Sequence, residues 1–468
     1  MSKLPPNVQA IIQPVIDEAK AATNAAGGGE DSFDVPSDDA LAQAFTAHHG
    51  GDLLHVQTWG RWLIWDETRW RIDETGQVLD FARAVCRAKA VYCTTPNGAK
   101  AVASAKTVRA VESLARTDRQ HAVTADLFDA DPWTLNTPGG VVDLREGAIR
   151  PHRRDDYMTR TAAVTPGGEC PAWHAFLDRV TGGDAELQAY LQRWAGYMLT
   201  GSTREHALAF LHGLGGNGKT VFLNTIKRLA GGYAKTASMD VFTASPHDRH
   251  PTELADLRGA RLVVVSEVDE GKRWAEAKIK SLTGGDPISA RFMRQDLFEF
   301  TPQFKLMIAG NHKPHLRNVD AAMKRRFHLI PFEVTIPDAE KDTELEAKLE
   351  AELPGIMAWA VAGAVAWAKG GLQAPERVRQ ATEEYMQAED STAQWMEDAC
   401  HVAPDASARS SDLYQSWKKW AEAAGEAPGT QKTFTETLLG RGFSKKPSNR
   451  GIIFHGLRPK VEDYWSEP

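Results

Sequence analysis

The residues with the clearest chemical role form a glycine-rich segment, Gly213–Thr220, with the sequence GLGGNGKT. This spacing, G-x-x-x-x-G-K-[ST], is typical of a phosphate-binding loop. Glycines let the backbone curl so that consecutive N–H groups converge on a β-phosphate, while Lys219 can bridge the β- and γ-phosphates and the Thr220 hydroxyl can bind Mg²⁺. The predicted phosphate and Mg²⁺ site comprises Gly213, Gly215, Gly216, Asn217, Gly218, Lys219 and Thr220.

The sequence on both sides of the loop supplies the elements that would position it. Ala207–Leu211 is an apolar run that predicts a buried strand, and Val221–Ile226 opens a helix that Gly231 and Gly232 would end. Phosphate binding needs this setting, because a helix N-terminus adds partial positive charge to the N–H groups of the loop. A chance glycine-rich turn ending in Lys-Thr would lack these flanks.

Residues 261–267, which include four consecutive aliphatic residues, predict a buried parallel strand that ends in a carboxylate, Glu267. An acid at this end of a strand is a usual source of the contact to the Mg²⁺-bound water and of the base that orients the attacking water. Glu267 is the first candidate for these roles. Asp269 or Glu270 would supply a second charge, and the sequence does not rank the two.

Two polar signals follow further along the chain. The run 304–310 predicts a third strand that ends at Asn311, which could orient the water between itself and Glu267, or could be a turn residue, since His-Lys-Pro follows. Arg325 and Arg326 precede another apolar run, and an arginine here can reach the γ-phosphate of a neighbouring subunit. The alternative is a solvated charge pair at a helix end.

Composition restricts the class of protein. The chain has 468 residues, a net charge of -7 and four cysteines without metal-ligand spacing, which predicts about three domains in a reducing cytosol. The mild acidity leaves any nucleic-acid contact to local basic elements. His247 and His250 are interpreted as loop residues and not as metal ligands, and neither a membrane span nor a signal sequence is expected.

The chain before the loop divides into a flexible segment, 1–36, and an α+β domain, 37–165. Residues 7–23 could form a helix for a partner or for oligomerisation. In the domain, residues 59–70 predict a hairpin with Trp62, Ile64 and Trp70 on one face, either as core or as a base-stacking surface. Asp129 and Asp131 are interpreted as turn residues and not as the metal ligands of a primase.

The rest of the chain divides into three regions. The nucleotide core, 166–335, begins with amphipathic collar helices near 173–180 and 186–200, and a helical region, 336–403, follows it. Residues 404–468 predict a winged-helix-like module. Between Lys432 and Lys460 there are seven Lys or Arg and one acid, Glu436, and the wing would hold Lys445, Lys446 and Arg450 for duplex DNA.

Together the loop, the strand leading to Glu267, the strand ending at Asn311 and the Arg-Arg-Phe segment resemble superfamily 3 helicases. The likeness is to the phage and plasmid replicative primase-helicase family, which is related to poxvirus primase-helicases. It implies an α/β fold with an AAA+-like ATPase core and a parallel sheet. It also implies that Glu267 holds the metal and the water, that Asn311 is the sensor and that Arg326, with Arg325 beside it, acts in trans. Lys280, Arg291, Phe292 and Arg294 resemble the motif whose hairpin grips single-stranded DNA in a ring.

The resemblance implies an ATP-dependent replicative DNA helicase of about six subunits in a host bacterial cytoplasm, working with a separate primase or polymerase. Two features depart from the family. There is no room upstream for the polymerase-type primase domain of larger members, and Val268 follows Glu267 where many helicases have a second acid. The alternative hypothesis is an ATPase switch that assembles on origin DNA without unwinding it. A packaging or chaperone motor is disfavoured by the basic C-terminal module.

Overall fold

The computed structural model describes residues 35–244, 252–265, 272–293, 296–316, 319–424, 428–448 and 451–460. Several predictions concern residues outside these ranges. They are the helix within 7–23, the histidine pair, the three acids after the second strand, and one arginine in each predicted DNA-binding element: His247, His250, Glu267, Asp269, Glu270, Arg294 and Arg450.

The N-terminal part packs four helices against a four-stranded sheet. The helices are α1 (Asp38–His49), α2 (Gln77–Ala90), α3 (Pro96–Val102) and α4 (Ala105–Ala115), and the strands are β1 (Leu53–Val56), β2 (Arg61–Trp65), β3 (Trp70–Ile72) and β4 (Ala122–Val123). The sheet order is β3-β2-β1-β4. Caps define the helix starts, since the side chain of Ser37 accepts a hydrogen bond from Ala40 N at the start of α1. The predicted α+β character of this part is confirmed.

The predicted tryptophan hairpin forms, but its tryptophans face opposite ways. Trp62 packs towards the helices and donates a 2.6 Å hydrogen bond from Nε1 to Glu112 Oε1. Trp70 pairs with Trp65 across the hairpin and packs with Leu63 on the other face. The prediction that Trp62 and Trp70 share a face is wrong, because the turn pairs residue 70 with residue 65, and paired residues point to the same side. Both indoles are buried, as the core interpretation expects.

Both aspartates of the D-x-D sequence accept hydrogen bonds from the backbone. Asp129 Oδ1 accepts a hydrogen bond from Thr159 N at 2.9 Å, and Asp131 Oδ1 accepts one from Trp133 N at 2.9 Å. The Asp131 bond reaches two residues along the chain and stabilises a turn, whereas the Asp129 bond joins two segments that are 30 residues apart. The prediction of a turn is confirmed.

A small meander and two collar helices precede the nucleotide core. They are β5 (Thr134–Thr137), β6 (Gly140–Asp143), β7 (Ile149–Arg150), α5 (Pro171–Thr181) and α6 (Ala185–Leu199). Leu135 and Val142 of the meander lie in the same buried cluster as Trp173 of α5 and Trp194 of α6. The core of the nucleotide region therefore draws on residues on both sides of the linker at 166–171.

The nucleotide core is a parallel sheet with its connecting helices. Its elements are β8 (Leu208–His212), α7 (Lys219–Ala230), β9 (Ala234–Thr236), α8 (Thr252–Ala255), β10 (Leu262–Val265), α9 (Glu276–Gly284), β11 (Ile288–Ala290), β12 (Phe298–Phe300), β13 (Lys305–Gly310), α10 (Ala321–Arg326) and β14 (Phe327–Pro331). The five-stranded sheet has the order β14-β8-β13-β10-β9, with every pair parallel. The antiparallel pair β11–β12 stands outside it. The prediction of a parallel α/β core is confirmed.

The remaining chain is α11 (Leu345–Ala351), α12 (Leu353–Gly370), α13 (Glu376–Ala388), α14 (Ser391–Ala399), β15 (Cys400–Arg409), α15 (Ser410–Ala423), α16 (Gln431–Gly440), β16 (Ser444–Ser448) and β17 (Gly451–Pro459). Helix α12 crosses the collar helix α6 closely. A Cβ at Gly196 would lie 1.9 Å from Ala364 N, and one at Gly363 would lie 2.0 Å from Gln192 O. Only glycine permits this contact between the two helices.

The C-terminal module has three helices, α14 to α16, and an antiparallel sheet of order β15-β17-β16. Its buried cluster begins with Trp395 on α14 and includes Trp417 and Phe434. Pro404, which predicted a boundary, lies within β15, where the register shifts between Val402 and Ser407. A bulge accommodates a residue that cannot donate to the ladder.

No single helix among the described residues combines the length and the apolar composition needed to cross a membrane, whereas the pair Asp338–Ala351 and Leu353–Gly370, bent by 75°, meets both criteria together. The second helix of this pair, α12, packs Ile356, Ala360 and Trp367 into the protein core.

Candidate nucleotide-binding site

The predicted phosphate-binding loop connects β8 directly to α7. The strand ends at His212 and the helix begins at Lys219, with Gly218 in a left-handed conformation at a φ of 81°. A Cβ at Gly213 would lie 2.1 Å from Phe332 O, and one at Gly218 would lie 2.5 Å from Val180 Cγ1. The loop thus needs glycine at both ends, for close packing at one and also for backbone conformation at the other. The predicted strand, loop and helix are confirmed.

Lys219 is buried at the start of α7, with 5% of its surface exposed. Its Nζ donates to Gly213 O at 2.7 Å and to Asn217 Oδ1 at 2.8 Å. Burial lowers the pKa of this lysine from its ordinary value. An ammonium group that is held by two oxygens of the loop itself lies where phosphate oxygens can take their place.

Residues 332–336, which we call the strap, fasten the loop to the end of β14. Phe332 N donates to His212 O at 2.7 Å, and Ile336 N donates to Gly216 O at 2.8 Å. Asn217 Nδ2 donates to Phe332 O at 2.6 Å, while its Oδ1 accepts from Lys219. Asn217 therefore connects the strap to the lysine. Sequence reasoning missed the strap, and an amide side chain within a glycine loop was the only signal for it.

Asn311 lies beside the loop, as the order of the strands requires. Strand β13 is the neighbour of β8, and its last residue, Gly310, pairs with His212. Asn311 and Gly213 are the next residues of the two strands, and adjacent strands lie about 4.8 Å apart. Asn311 is exposed, as a residue that contacts a water or a ligand must be. Its neighbour β10 ends at Val265, and the three candidate acids that follow lie outside the described ranges.

His212 has an electrostatic environment set by this edge of the sheet. Burial is the largest cause of its lowered pKa, and the charge of Lys313 is the next. A hydrogen bond with the Asn311 backbone raises the pKa, and the charge of Lys219 lowers it. The imidazole is therefore neutral near pH 7 and joins the end of β8 to that of β13.

The two arginines after β13 have different environments. Arg326 is 8% exposed, and it donates from Nε to Thr283 Oγ1 at 3.2 Å and from Nη1 to Ala322 O at 3.0 Å. Arg325, on the same helix α10, is exposed. Phe327 pairs with Leu208 and Pro331 pairs with His212, so α10 lies at the opposite end of the sheet from the loop.

The predicted DNA-binding residues are placed in three locations. Arg291 and Phe292 follow β11 in the β11–β12 hairpin, where both are exposed and the ring of Phe292 stacks on Phe298 at 5.7 Å. Lys280 lies instead on α9, where it forms an ion pair with Asp320, the N-cap residue of α10. Lys445 and Lys446 are exposed on β16 of the C-terminal module.

The residues that would hold a metal are described only in part. Thr220 is exposed in the first turn of α7, next to Lys219, as the Mg²⁺ role of its hydroxyl requires. Across the described ranges, no group of three or more His, Cys, Asp or Glu side chains is arranged to hold a metal ion. Of the two predicted metal ligands, Thr220 is described and Glu267 lies outside the described ranges.

Comparisons with known proteins agree with this geometry. A family model described as D5 N terminal like matches residues 42–182, and a family of unknown function, DUF5906, matches residues 211–326. Three viral proteins, each named "Putative helicase", are similar to the chain. The protein of Acanthamoeba polyphaga mimivirus is 25% identical over 333 residues, which is 65% of this chain and 35% of that protein.

The protein of Invertebrate iridescent virus 6 is 30% identical over 234 residues, or 47% of this chain and 24% of its own length. The protein of Frog virus 3 is 27% identical over 264 residues, or 51% of this chain and 27% of its own length. The chain therefore spans about a quarter to a third of the length of these curated relatives.

Among solved structures, the apo form of the NrS-1 C-terminal region is similar in fold. It has a TM-score of 0.51 and 12% identity, and the match covers 92% of this chain and 100% of that one. The two matched family models and the viral relatives named as putative helicases are consistent with the resemblance to superfamily 3 primase-helicases.

Proposed function

We propose that this chain is an ATP-dependent DNA helicase that hydrolyses ATP between copies of itself. One observation carries the proposal. Lys219 and Asn311 lie at the carboxyl ends of the parallel strands, and an exposed arginine, Arg325, lies at their amino ends. Because these residues lie at opposite ends of the strands, only a second copy of the chain can bring an Arg325 to the phosphates.

The loop and its neighbours have separate roles in hydrolysis. The backbone N–H groups of Gly215–Thr220 and the Lys219 ammonium bind the β- and γ-phosphates, and Asn311 orients a water. The water oxygen bonds to the γ-phosphorus while the bond from that phosphorus to the bridging oxygen breaks, which yields ADP and inorganic phosphate. Glu267 receives the proton of the water and passes it to solvent. Mg²⁺, held by Thr220 and Glu267, would neutralise phosphate charge.

Arg325 is the better candidate for the arginine that acts in trans. Residues 327 and 331 of β14 are separated by about 13 Å of strand, so an arginine before Phe327 lies far from the loop of its own copy. Arg326 is buried and bonded to Thr283 and Ala322, whereas Arg325 is exposed. Among the described residues, no ion pair engages Arg325. Arg326 would then fix the end of α10 from which Arg325 extends.

Single-stranded DNA would contact the β11–β12 hairpin. Arg291 supplies a cation for the backbone, and Phe292 supplies an aromatic face for a base. These contacts are independent of sequence, as translocation requires. Lys280 would act indirectly, because its pairing with Asp320 links the helix before the hairpin to the helix that carries Arg325.

The C-terminal module supports a further contact with duplex DNA. Its order of helix, strand, two helices and a hairpin supports the proposal of a winged helix, and Lys445 and Lys446 lie exposed on the first strand of the hairpin. Lysines in a wing bind phosphates. This module would also favour the second candidate function, an ATPase that assembles on origin DNA without unwinding it.

One experiment separates these functions. ATP hydrolysis is measured against protein concentration with and without single-stranded DNA, and strand displacement is measured on a tailed duplex. The helicase proposal expects a rate per subunit that rises with concentration, stimulation by DNA, and displacement that Lys219→Ala and Arg325→Ala abolish. Arg109→Ala, which removes an exposed arginine from α4, serves as the matched control.

Hydrolysis without displacement would favour the origin-binding switch. A full rate at every dilution, without any response to DNA, would contradict hydrolysis between copies.

A further inference from the structure

A polar cavity of about 480 Å³ opens beside the phosphate-binding loop. It lies between the ends of β8 and β13 on one side and α13 on the other. Its walls include His212, Asn311, His312, Lys313 and Tyr385. The cavity therefore adjoins both the last residue of β8, which directly precedes the loop, and the candidate water-orienting residue.

Lys313 is the cation of this cavity. It follows Asn311 by two residues, and its Nζ lies 5.5 Å from the centre of the Tyr385 ring. That ring is fixed, because the Tyr385 hydroxyl donates to Pro314 O and accepts from Trp274 Nε1 at 3.1 Å. Within the described ranges, no carboxylate forms an ion pair with Lys313. A half-buried cation on a rigid aromatic platform is available to an anion.

The acidic residues of the cavity leave this charge largely uncompensated. Glu389 is engaged elsewhere, since its Oε2 accepts from Leu316 N at 2.9 Å and lies 3.2 Å from His315 Nδ1. Glu384 also lines the cavity and is exposed. His212, which also lines the cavity, experiences the charges of both Lys219 and Lys313. The two lysines thus act on the same short stretch of the sheet edge.

We propose that Lys313 contacts the γ-phosphoryl group of the bound nucleotide from the Asn311 side, and that the cavity receives the inorganic phosphate that hydrolysis releases. This inference rests on the proposed ATPase function and adds a second cation from the same chain to it. Lys219 would bind the β- and γ-phosphates from within the loop, and Lys313 would bind the terminal oxygens that carry charge as the bond to the bridging oxygen breaks.

Nucleotide binding tests the contact directly, because ADP lacks the γ-phosphate. Dissociation constants for ADP and for a non-hydrolysable imido analogue of ATP are measured with wild type, Lys313→Gln, Lys313→Arg and the control Lys89→Gln, whose lysine lies on α2. We expect Lys313→Gln to bind the analogue about 10-fold more weakly and ADP with unchanged affinity, since one charge-assisted contact is lost. Lys313→Arg should retain most of the analogue affinity.

Two further readouts separate this role from a structural one. The rate constant kcat of Lys313→Gln should fall by about 10- to 100-fold, and inhibition by added inorganic phosphate should weaken in parallel. Equal losses for ADP and for the analogue, or unchanged affinity for both, would overturn the inference. Absence of hydrolysis and of nucleotide binding in wild type would instead reject the proposed function itself.

Discussion

Buried cations lie at both ends of the strands of the central sheet, but the cations at the two ends have different partners. At the end where the strands begin, Arg261 and Lys305 are 2% and 1% exposed. Arg261 donates to Leu199 O at 2.8 Å, and Lys305 donates to Thr200 O and to Gln303 O, so both bind carbonyls at the end of α6. Cations at a helix C-terminus are favourable partners of its dipole.

At the opposite end, Lys219 is also buried, but one of its two partners is the side chain of Asn217. A side-chain amide can turn away when a ligand arrives, whereas backbone carbonyls that end a packed helix cannot. Burial of a cation therefore does not identify a functional site by itself. The difference lies in whether the partner can be exchanged.

The largest effect is expected for Lys219, one of whose partners, the Asn217 side chain, can be exchanged for a ligand. Lys219→Ala should lower the rate of ATP hydrolysis by at least about 100-fold, because it removes a donor to the phosphates in a water-poor site. Thermal unfolding should change little, since the loop oxygens can bind water instead. Steady-state hydrolysis and a melting curve check both parts, and an active variant would remove this lysine from the chemistry.

At the amino ends of the strands, where Lys305 binds backbone carbonyls, we expect a loss of stability without a loss of activity. Lys305→Met should lower the free energy of unfolding by about 1–3 kcal/mol, because the carbonyls of Thr200 and Gln303 lose a buried donor. The ATPase rate per folded molecule should stay near that of wild type. Urea denaturation measures the loss, with Lys89→Met as the surface control. If Lys305→Met were stable but inactive, the distinction between the two ends would fail.

Asn217→Ala should lower both the stability and the activity, each by a moderate amount. Loss of the amide frees the Lys219 ammonium from one oxygen and removes one link to the strap at Phe332. We expect a loss of about 1 kcal/mol in unfolding free energy and a reduction of kcat/KM of about 10-fold. Hydrolysis kinetics and urea denaturation of the same preparation measure the two effects. A variant with wild-type kinetics would show that the amide only closes the loop.

Acid should gradually destabilise the contact between the collar helix α6 and the central sheet. Burial lowers the pKa of His328 to about 4, and its Nδ1 lies 2.6 Å from the Tyr190 hydroxyl. The folded protein binds this proton less readily than the unfolded chain, so stability is present above about pH 6.5 and is lost as the pH falls towards 4. His328→Phe should show a smaller fall in melting temperature between pH 7 and pH 5. An unchanged slope would place the acid sensitivity elsewhere.

Much of the nucleotide core could be predicted from sequence, because its signals are local. The strands at 208–212, 262–265 and 305–310 begin within one residue of their predicted positions, and α7 ends at Gly231 as expected. The aliphatic runs, the loop glycines and the Gly-Gly after α7 each restrict the backbone where they stand. The face of Trp70 could not be predicted in this way, because it depends on which residues pair across a turn.

The sequence alone determined that a strand, a glycine loop and a helix start would meet, and that Asn311 would follow a strand. These features depend on residues close together in the chain, where sterics and hydrogen bonding act directly. Only the tertiary structure decided that Arg326 is buried while Arg325 is exposed, that Lys280 pairs with Asp320, and that the strap reaches Asn217. Those outcomes depend on contacts between residues 40 to 115 positions apart, and no local pattern encodes such contacts.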